Sequence, residues 1–532
     1  MGLIDIIFTS TCWHGRNSMK AYFMTRSQLK LIPIVLLTMM QVLGSAGVGR
    51  SGIPELIPLL KDQNESVRSN TVGELAEIGE SAIPYLIPLL KDLDGDVRLG
   101  AASALGKIGK SAIPYLIPLL RDQNEWGRSS AAMALGRFGE SAKSAIPYLI
   151  PLLKDQNKLV RSSATVALGS IGESAKSAIP ALIPLLKDLD EDVRSNARDG
   201  LALIGESAIP YLIPLLKDQN SRLRSSAAYA LASFPGSATV AIPDLIPLLK
   251  DQNRLVRSSA AVALGRFGKS ATVAIPDLIP LLKDQNRLVR SSAAVALGTI
   301  GELATVAIPD LIPLLKDQNS RVRSSAAVAL GSIGESAKSA IPDLIPLLKD
   351  LDEDVRSSAT YALGNIGESA KLAILDFILL LKDLDEDVRS NARDGLARIG
   401  ESAIPYLIPL LKDQNSYVRS STAYTLGNIG ESAKSAIPDL IPLLKDQNSR
   451  VRSSAAQVLG NMEKSATVAI PNLIALLKDQ DKWVRLSAAY ALGNMGESAK
   501  SAIPDLIPLL KDLDENVRFV AIEALQKLVY KP

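Results

Sequence analysis

The sequence predicts an all-α solenoid, a superhelix of about fifteen helix–turn–helix repeats. Three observations predict it. First, one phrase recurs fifteen times at steps of 30 or 33 residues: Ser-Ala-Ile-Pro-x-Leu-Ile-Pro-Leu-Leu-Lys-Asp-Gln-Asn-x-x-Val-Arg-Ser-Ser-Ala-Ala-x-Ala-Leu-Gly-x-Ile-Gly-Glu. Repeats 1 to 15 are numbered from Ile53, Ile83, Ile113, Ile146, Ile179, Ile209, Ile242, Ile275, Ile308, Ile341, Ile374, Ile404, Ile437, Ile470 and Ile503. Second, the apolar residues inside each copy fall at helical spacing. Third, Pro, Asn or Asp, and Gly punctuate every copy where helices start and stop. A period of this kind overrides the several domains that 532 residues would otherwise suggest, and it offers a long surface in place of one pocket.

Residues 303–335 serve as the specimen. Pro309 has no N–H to lose, so it suits a first helical turn. Ile308, Leu311, Ile312 and Leu315 follow at i, i+3, i+4, i+7 and define helix A. Pro313 removes a hydrogen bond within that helix, so helix A is expected to be short and kinked or loosened. Asp317-Gln318-Asn319 is the turn, with Asn319 as N-cap; this position is Asn or Asp in all fifteen copies. Helix B then turns Val322, Ala326, Ala329, Leu330 and Ile333 inward and ends at Gly334 in a left-handed conformation. Glycine occupies that end in twelve copies. The 33-residue copies carry three extra residues between repeats, as in Lys338-Ser339-Ala340, which are expected to adjust pitch.

These units resemble HEAT repeats, particularly the short bacterial kind also called phycobilin-lyase-type HEAT-like repeats. Proline in helix A, Asp in the turn and Arg early in helix B carry the resemblance over residues 53–530. It specifies the fold closely and the function poorly.

Every repeat places Asp six residues before Arg, for example Asp317 and Arg323, or Asp350 and Arg356. A feature present in all fifteen units serves stacking better than a local site. We expect an inter-repeat ladder in which each Arg fork bonds turn carbonyls and Asp carboxylates of its own and the adjacent repeat. The resemblance implies the same use of the pair.

The variable positions are where binding can be sought. In helix B the residues one, five and nine after the Arg share a face, expected to be exposed. The resemblance implies that helix B lines the concave side. The first position is usually Ser. Late in the chain the other two become Tyr361 and Asn365, Asp394 and Arg398, Tyr424 and Asn428, Gln457 and Asn461, Tyr490 and Asn494. Tyr and Asn combine contact area with adaptable hydrogen bonding, so Tyr361, Asn365, Arg398, Tyr424, Asn428, Asn461, Tyr490 and Asn494 are the candidate partner-binding residues. The turn edge carries Arg222, Arg254, Arg287 and Arg321 in the middle and acidic turns around residues 350–390. A further column, Asp244, Asp277, Asp310, Asp343 and Asp376, stands at helix starts and is expected to be structural.

Duplication built the chain: residues 237–269 and 270–302 differ at three positions, as do 187–226 and 382–421. Irregular units stand out against this copying. Leu375 and Leu379 replace both prolines of repeat 11, Phe234-Pro235-Gly236 interrupts repeat 6, and Met462-Glu463 lacks the terminating glycine. Residues 232–237 are expected to mark a change of pitch.

Residues 1–28 are expected to be a disordered or untranslated extension. Residues 29–52 are an apolar segment, either a degenerate capping half-repeat or, with residues 19–46, a signal peptide. The localisation expected is cytoplasmic, or exported in the second case. Formal net charge is +3, which gives no sign of a nucleic-acid partner. Cys12 and His14 are single and lie outside the repeats, so neither cofactor nor metal is expected. The apolar run is too short for a stable membrane span. The expected function is a non-catalytic scaffold binding protein partners, with an extended segment in the concave groove as one expected form of partner. The alternative is a phycobilin-lyase-like subunit handling a bilin or a phycobiliprotein, implied by the resemblance alone. A di-iron deoxyhypusine hydroxylase, or any oxidoreductase of that kind, is excluded because the repeats lack the paired His-Glu ligands.

Overall fold

The computed structural model describes residues 52–529, and these fold as fifteen stacked helix–turn–helix units with no strand among them. The expectations for residues 1–28 and 29–52 lie outside the described residues, Gly52 excepted.

Helix A is where proline chemistry shows most clearly. In repeat 9 it is one α-turn, Ile308–Leu311, followed by a 3₁₀ segment, Ile312–Lys316. Pro313 cannot donate, so the backbone tightens to the shorter bonding pattern. The tighter winding also re-phases the side chains: Leu314 and Leu315 both turn inward, while Ile312 of the expected stripe is only half-buried. Two natural variants support this cause, although repeat 2 keeps Pro88 within a single α-helix, Ile83–Leu89. Repeat 11 has Leu379 in place of the second proline and forms one α-helix, Ile374–Leu380. Repeat 14 has Ala475 there and forms Ile470–Leu476.

Asp or Asn caps helix B as expected: the Asn286 side chain accepts from the Leu288 N–H and Asp352 from Val355 N–H. Asn319 itself makes no such bond, although its backbone is extended like the others. The inward residues Val322, Ala326, Ala329, Leu330 and Ile333 are all buried.

Helix B ends in two ways, set by the residue before the glycine. After Ile, the glycine combines positive φ with strongly negative ψ, as at Gly334 (φ 76°, ψ −143°). That lies outside the left-handed helical region expected for Gly334 and is a region that only glycine occupies comfortably. After Phe or Met, the glycine sits near the left-handed helical φ: 53° at Gly139, 55° at Gly268 and 55° at Gly496. Glu463 replaces glycine in a unit of the second kind, after Met462, and takes φ 44°. A side chain can reach that φ at a cost. Glu463→Gly should therefore stabilise repeat 13 by about 1 kcal/mol, the left-handed penalty less the extra chain entropy of glycine. Slower amide exchange over residues 461–469 is the expected reading, and faster exchange would contradict it.

The step length between repeats has a simple structural meaning. The 30-residue copies join through a short 3₁₀ segment such as Gly400–Ala403, and the 33-residue copies through a longer one such as Gly334–Ala340. Three residues make about one 3₁₀ turn, so the longer linker keeps its phase and gains length.

That length decides whether the ladder closes. Across all ten 33-residue junctions the Arg fork grips the Asp of the next repeat with two bonds. Arg323 is representative. Its Nε and Nη2 donate to Asp350 at 2.9 and 2.8 Å, and its Nη1 donates to the Asp317 carbonyl at 2.9 Å. The own-repeat contact is thus a backbone carbonyl, since the Asp317 carboxylate holds Arg290 instead. Asp350 also accepts from the Asp352 N–H at 3.0 Å, so one side chain fixes its turn and the junction. Burial opposes ionisation of Asp350 most strongly, but the Arg323 fork and the Asp352 N–H outweigh it and hold the carboxyl below its usual range.

None of the four 30-residue junctions has this fork. Arg98 instead stacks on Trp126 at 4.0 Å and Arg389 on Tyr417 at 5.3 Å, while Arg194 pairs with Glu191 of its own repeat and leaves the neighbouring Arg198 to stack on Tyr229 at 5.3 Å. Arg68 reaches Asp96 at 3.4 Å. The freed turn carboxylates take lysines, as Lys382 does with Asp413 at 3.0 Å. Successive B helices also pack over a much shorter stretch at these four junctions. The change of pitch expected at residues 232–237 has no counterpart in the ladder: Arg224 grips Asp251 there at 2.8 and 3.1 Å, as elsewhere.

A second glycine, eight residues after the Arg, accompanies nine of the ten closed junctions; in repeat 6 the place is Ala232, just past the end of a helix B that stops at Leu231. A Cβ on Gly331 would lie 2.7 Å from the Ala362 Cα of the next B helix, and one on Gly298 would lie 2.8 Å from Ala329 Cα. Backbone meets backbone here, so no side chain fits. Three of the four short junctions carry alanine at this place instead: Ala76, Ala202 and Ala397.

Residues 287–316 are apolar and long enough to cross a bilayer by composition. Gly301, at φ 75°, breaks the stretch into helix B of one repeat and helix A of the next.

Candidate partner-binding site

The face expected to be exposed divides into two parts. Its first column, usually the Ser after the ladder Arg, is engaged by the next repeat at seven of the long junctions. Ser324 shares a 2.8 Å hydrogen bond with Ser358 of the next repeat, as Ser258 does with Ser292 and Ser291 with Ser325. Asn391 donates to Ser357 in the same place at 2.9 Å. A helical wheel shows this column pointing outward, but the neighbouring B helix leans over it. The Ser column is therefore a second stacking ladder, lying between the buried core and the surface.

The other two columns are exposed, as the periodicity predicts. Tyr361, Tyr424 and Tyr490 are 37%, 42% and 37% exposed, enough for a partner to cover. Arg398, Asn428 and Asn461 are exposed, and Asn365 and Asn494 are half-buried. The B helices of repeats 10 to 14 (Glu353–Ile366, Glu386–Ile399, Ser416–Ile429, Ser449–Asn461 and Lys482–Asn494) pack in succession. They bring Tyr361, Arg398, Tyr424, Asn461 and Tyr490 onto one continuous face.

Neighbouring repeats orient these tyrosines. Arg393 lies over the Tyr424 ring at 5.8 Å, and Lys527 over Tyr490 at 5.9 Å. Lys527 also donates to Asn494 Oδ1 at 3.0 Å. Tyr361 packs beside Gly331, where a Cβ would sit 3.2 Å from its Cδ1. Each ring is thus pre-placed, which lowers the entropy lost when a partner binds. Tyr229 belongs to the same column, 46% exposed with Arg198 over it, but it stands alone in sequence, four repeats before Tyr361.

The Asp column at the start of helix A is structural, as expected. Lys316 at the end of one helix A reaches Asp343 of the next at 2.7 Å, and Lys250 reaches Asp277 at 2.6 Å. These lysines are largely exposed, so each pair contributes little stability, about 0–1 kcal/mol. Among the described residues no group of three or more His, Cys, Asp and Glu is placed to hold a metal ion.

Comparison with known proteins agrees with this architecture. The chain is similar in structure to importin beta (TM-score 0.63, 14% identity), covering 90% of this chain and 77% of that one. It is similar to Kap95 in its Nup1 complex (0.57, 15%; 90% and 77%) and to Kap121p bound to Ste12p (0.57, 15%; 91% and 67%). At these identities the likeness concerns the fold. No curated protein matches the sequence. The model of HEAT repeats matches eight overlapping stretches, residues 53–136, 113–202, 179–265, 242–331, 275–364, 308–379, 376–460 and 437–526. With the helix pairs, the turn Asp and the Arg fork in place along the same residues, the chain belongs to the HEAT-repeat family.

Proposed function

We propose that the chain is a non-catalytic scaffold that binds protein partners, with the outward face of the late B helices as its contact surface. The observation that carries this reading is the succession Tyr361, Arg398, Tyr424, Asn461 and Tyr490 on five adjacent helices. Adjacent helices lie about 8–10 Å apart, and three residues of extended chain span about 10 Å. An extended segment crossing the helices therefore meets one of these side chains every third residue. Tyrosine supplies contact area, and Asn and Arg supply hydrogen bonds that adapt to different backbones. The Kap95:Nup1 and Kap121p–Ste12p complexes are solenoids of this family bound to protein partners, which supports the reading.

The test compares proteins captured by the full chain with those captured by a Tyr361, Tyr424, Tyr490→Ala triple variant. The specific partners should fall by 10-fold or more, while circular dichroism stays unchanged, because the three rings are surface groups. Equal capture by both chains would remove the face from consideration. A bilin-lyase-like role is the alternative; bilin absorbance after co-expression with an antenna protein would favour it.

A further inference from the structure

The turn edge of the stack carries a charge pattern that the tyrosine face does not use. Arg254 and Arg287 begin helix B in repeats 7 and 8, and Arg321 stands one residue further in at repeat 9. All three are exposed, and none forms an ion pair among the described residues. A cation at a helix start works against the helix dipole, so its recurrence on consecutive repeats needs a reason. Copying explains Arg287 after Arg254, since their units are nearly identical. Arg321 comes from a different copied unit, with Asn-Ser-Arg in place of Asn-Arg-Leu as at Arg222 and Arg450, so two unit types place a cation on consecutive turns of this edge. Leu255 and Leu288 lie exposed between the arginines, and a surface cavity of about 450 Å³ opens among Arg254, Leu255, Arg287, Leu288 and Arg321.

The next two turns along the same edge have the opposite chemistry. Leu351 and Leu384 are 100% and 98% exposed; Leu93, Leu189 and Leu513 are similarly exposed at the same turn position, but only Leu351 and Leu384 stand on consecutive repeats next to the arginines. Beside them stand Glu353 and Asp354, then Glu386 and Asp387, all exposed and without an ion pair among the described residues. Basic turns with a leucine-lined cavity thus adjoin acidic turns with projecting leucines.

We propose that this edge pairs with the same edge of a second copy of the chain, in antiparallel order, about a twofold axis between repeats 9 and 10. Such an axis sets repeat 9 of one copy against repeat 10 of the other, and repeat 8 against repeat 11. Arg321 then faces Glu353 and Asp354, and Arg287 faces Glu386 and Asp387. Leu384 enters the cavity beside Leu288. The match is confined to the centre, because Arg222 in repeat 6 would meet Arg450 in repeat 13 further out. An interface of a few turns per copy is small, so the pairing is weak, in the micromolar range, and sensitive to salt. This goes beyond the tyrosine-face reading and involves none of its residues.

Sedimentation velocity on the full chain tests it. At low salt and tens of micromolar, the mass should rise from 56.7 kDa toward twice that value, and 0.5 M salt should return it. Arg287→Glu with Arg321→Glu should be monomeric, and so should Glu353→Arg with Glu386→Arg. An equimolar mixture of the two variants should dimerise, because each restores the opposite sign to the other. Circular dichroism of each variant checks folding, and the mixed sample shows that neither was lost. A wild-type chain that stays monomeric, or a mixture that does not associate, overturns the proposal. So does a monomeric chain whose arginine edge binds a leucine-bearing acidic peptide, which would make the edge a docking site for a different protein.

Discussion

Replacing Asp350 with alanine should destabilise the stack by about 3 kcal/mol, the range found when one partner of a mostly buried charge pair is removed. Arg323 and Asp350 are only 17% and 11% exposed, so the guanidinium would lose its carboxylate without gaining full hydration. The same substitution at Asp413 provides the control. That carboxylate closes its own turn in the same manner, through the Asn415 N–H at 2.8 Å, but its inter-repeat partner is the exposed Lys382. Asp413→Ala should therefore cost about 1 kcal/mol for its lysine pair plus the turn contribution that both sites share, and the difference between the two variants isolates the Arg fork. A solenoid unfolds in pieces, so amide exchange in the flanking helices is a better reading than one melting temperature. Exchange should quicken in both the Ser320–Ile333 and Glu353–Ile366 helices for Asp350→Ala, and stay near wild type around residue 413 for Asp413→Ala. Equal effects at the two sites would show that the fork contributes nothing beyond an ordinary surface pair.

Much of this was readable from the chain because repetition separates structural letters from variable ones. Pro313, Asn319, Asp317, Arg323 and Gly334 each have a local reason to be where they are, and local reasons need no coordinates. The outward direction of Tyr361, Tyr424 and Tyr490 followed from helical periodicity in the same way. What periodicity cannot show is the neighbour. Ser324 lies on the outward column yet is engaged by Ser358, which comes from the next repeat. Arg393 and Lys527 stand over Tyr424 and Tyr490 from other repeats, a relation set by stacking distance. Gly331 looks like an unexceptional helix residue until Ala362 arrives against it. The 30- and 33-residue steps were plain to count, but their consequence depends on whether an Arg side chain can span the gap to the following turn. The missing information is thus of one kind: contacts between repeats, whose residues are about thirty positions apart.

The two step lengths also divide the stack mechanically. Repeats 3 to 5, 6 to 11 and 12 to 15 are runs in which every junction has its fork, joined by short junctions crossed instead by Arg–Tyr stacking, Arg198 on Tyr229 and Arg389 on Tyr417. Stacking of Arg on an exposed ring is weaker and less directional than a bidentate pair. Bending should therefore concentrate at the joints before repeats 6 and 12. The second joint falls inside the tyrosine face, between Arg398 and Tyr424, so its angle sets how far apart the two halves of that face lie.

Deleting Lys338–Ala340 should have the largest effect, on the order of 5 kcal/mol, because it turns a long junction into a short one and removes three contacts together. The Arg323 fork would lose Asp350, Ser324 would lose Ser358, and the close passage of Gly331 against Ala362 would open. The reverse change is more informative. Inserting Lys-Ser-Ala after Ala403 lengthens the joint before repeat 12 by one 3₁₀ turn, but alone it should not close it. Ala397 lies inside its helix, unlike Ala232 of repeat 6, and puts a methyl group where the other closed junctions carry glycine, so the insertion needs Ala397→Gly beside it. The double variant should let Arg389 exchange its stacking on Tyr417 for a fork on Asp413, and amide exchange across Glu386–Ile399 should slow about 100-fold, equivalent to about 2.7 kcal/mol. The insertion by itself should give little protection. If the insertion alone gives full protection, the glycine is incidental; if the double variant gives none, linker length does not govern the ladder. Closing this joint also re-aims Tyr424 relative to Arg398 without altering either residue. A partner that lies across the face should then bind with changed affinity, whereas one held by a single repeat should not notice the change.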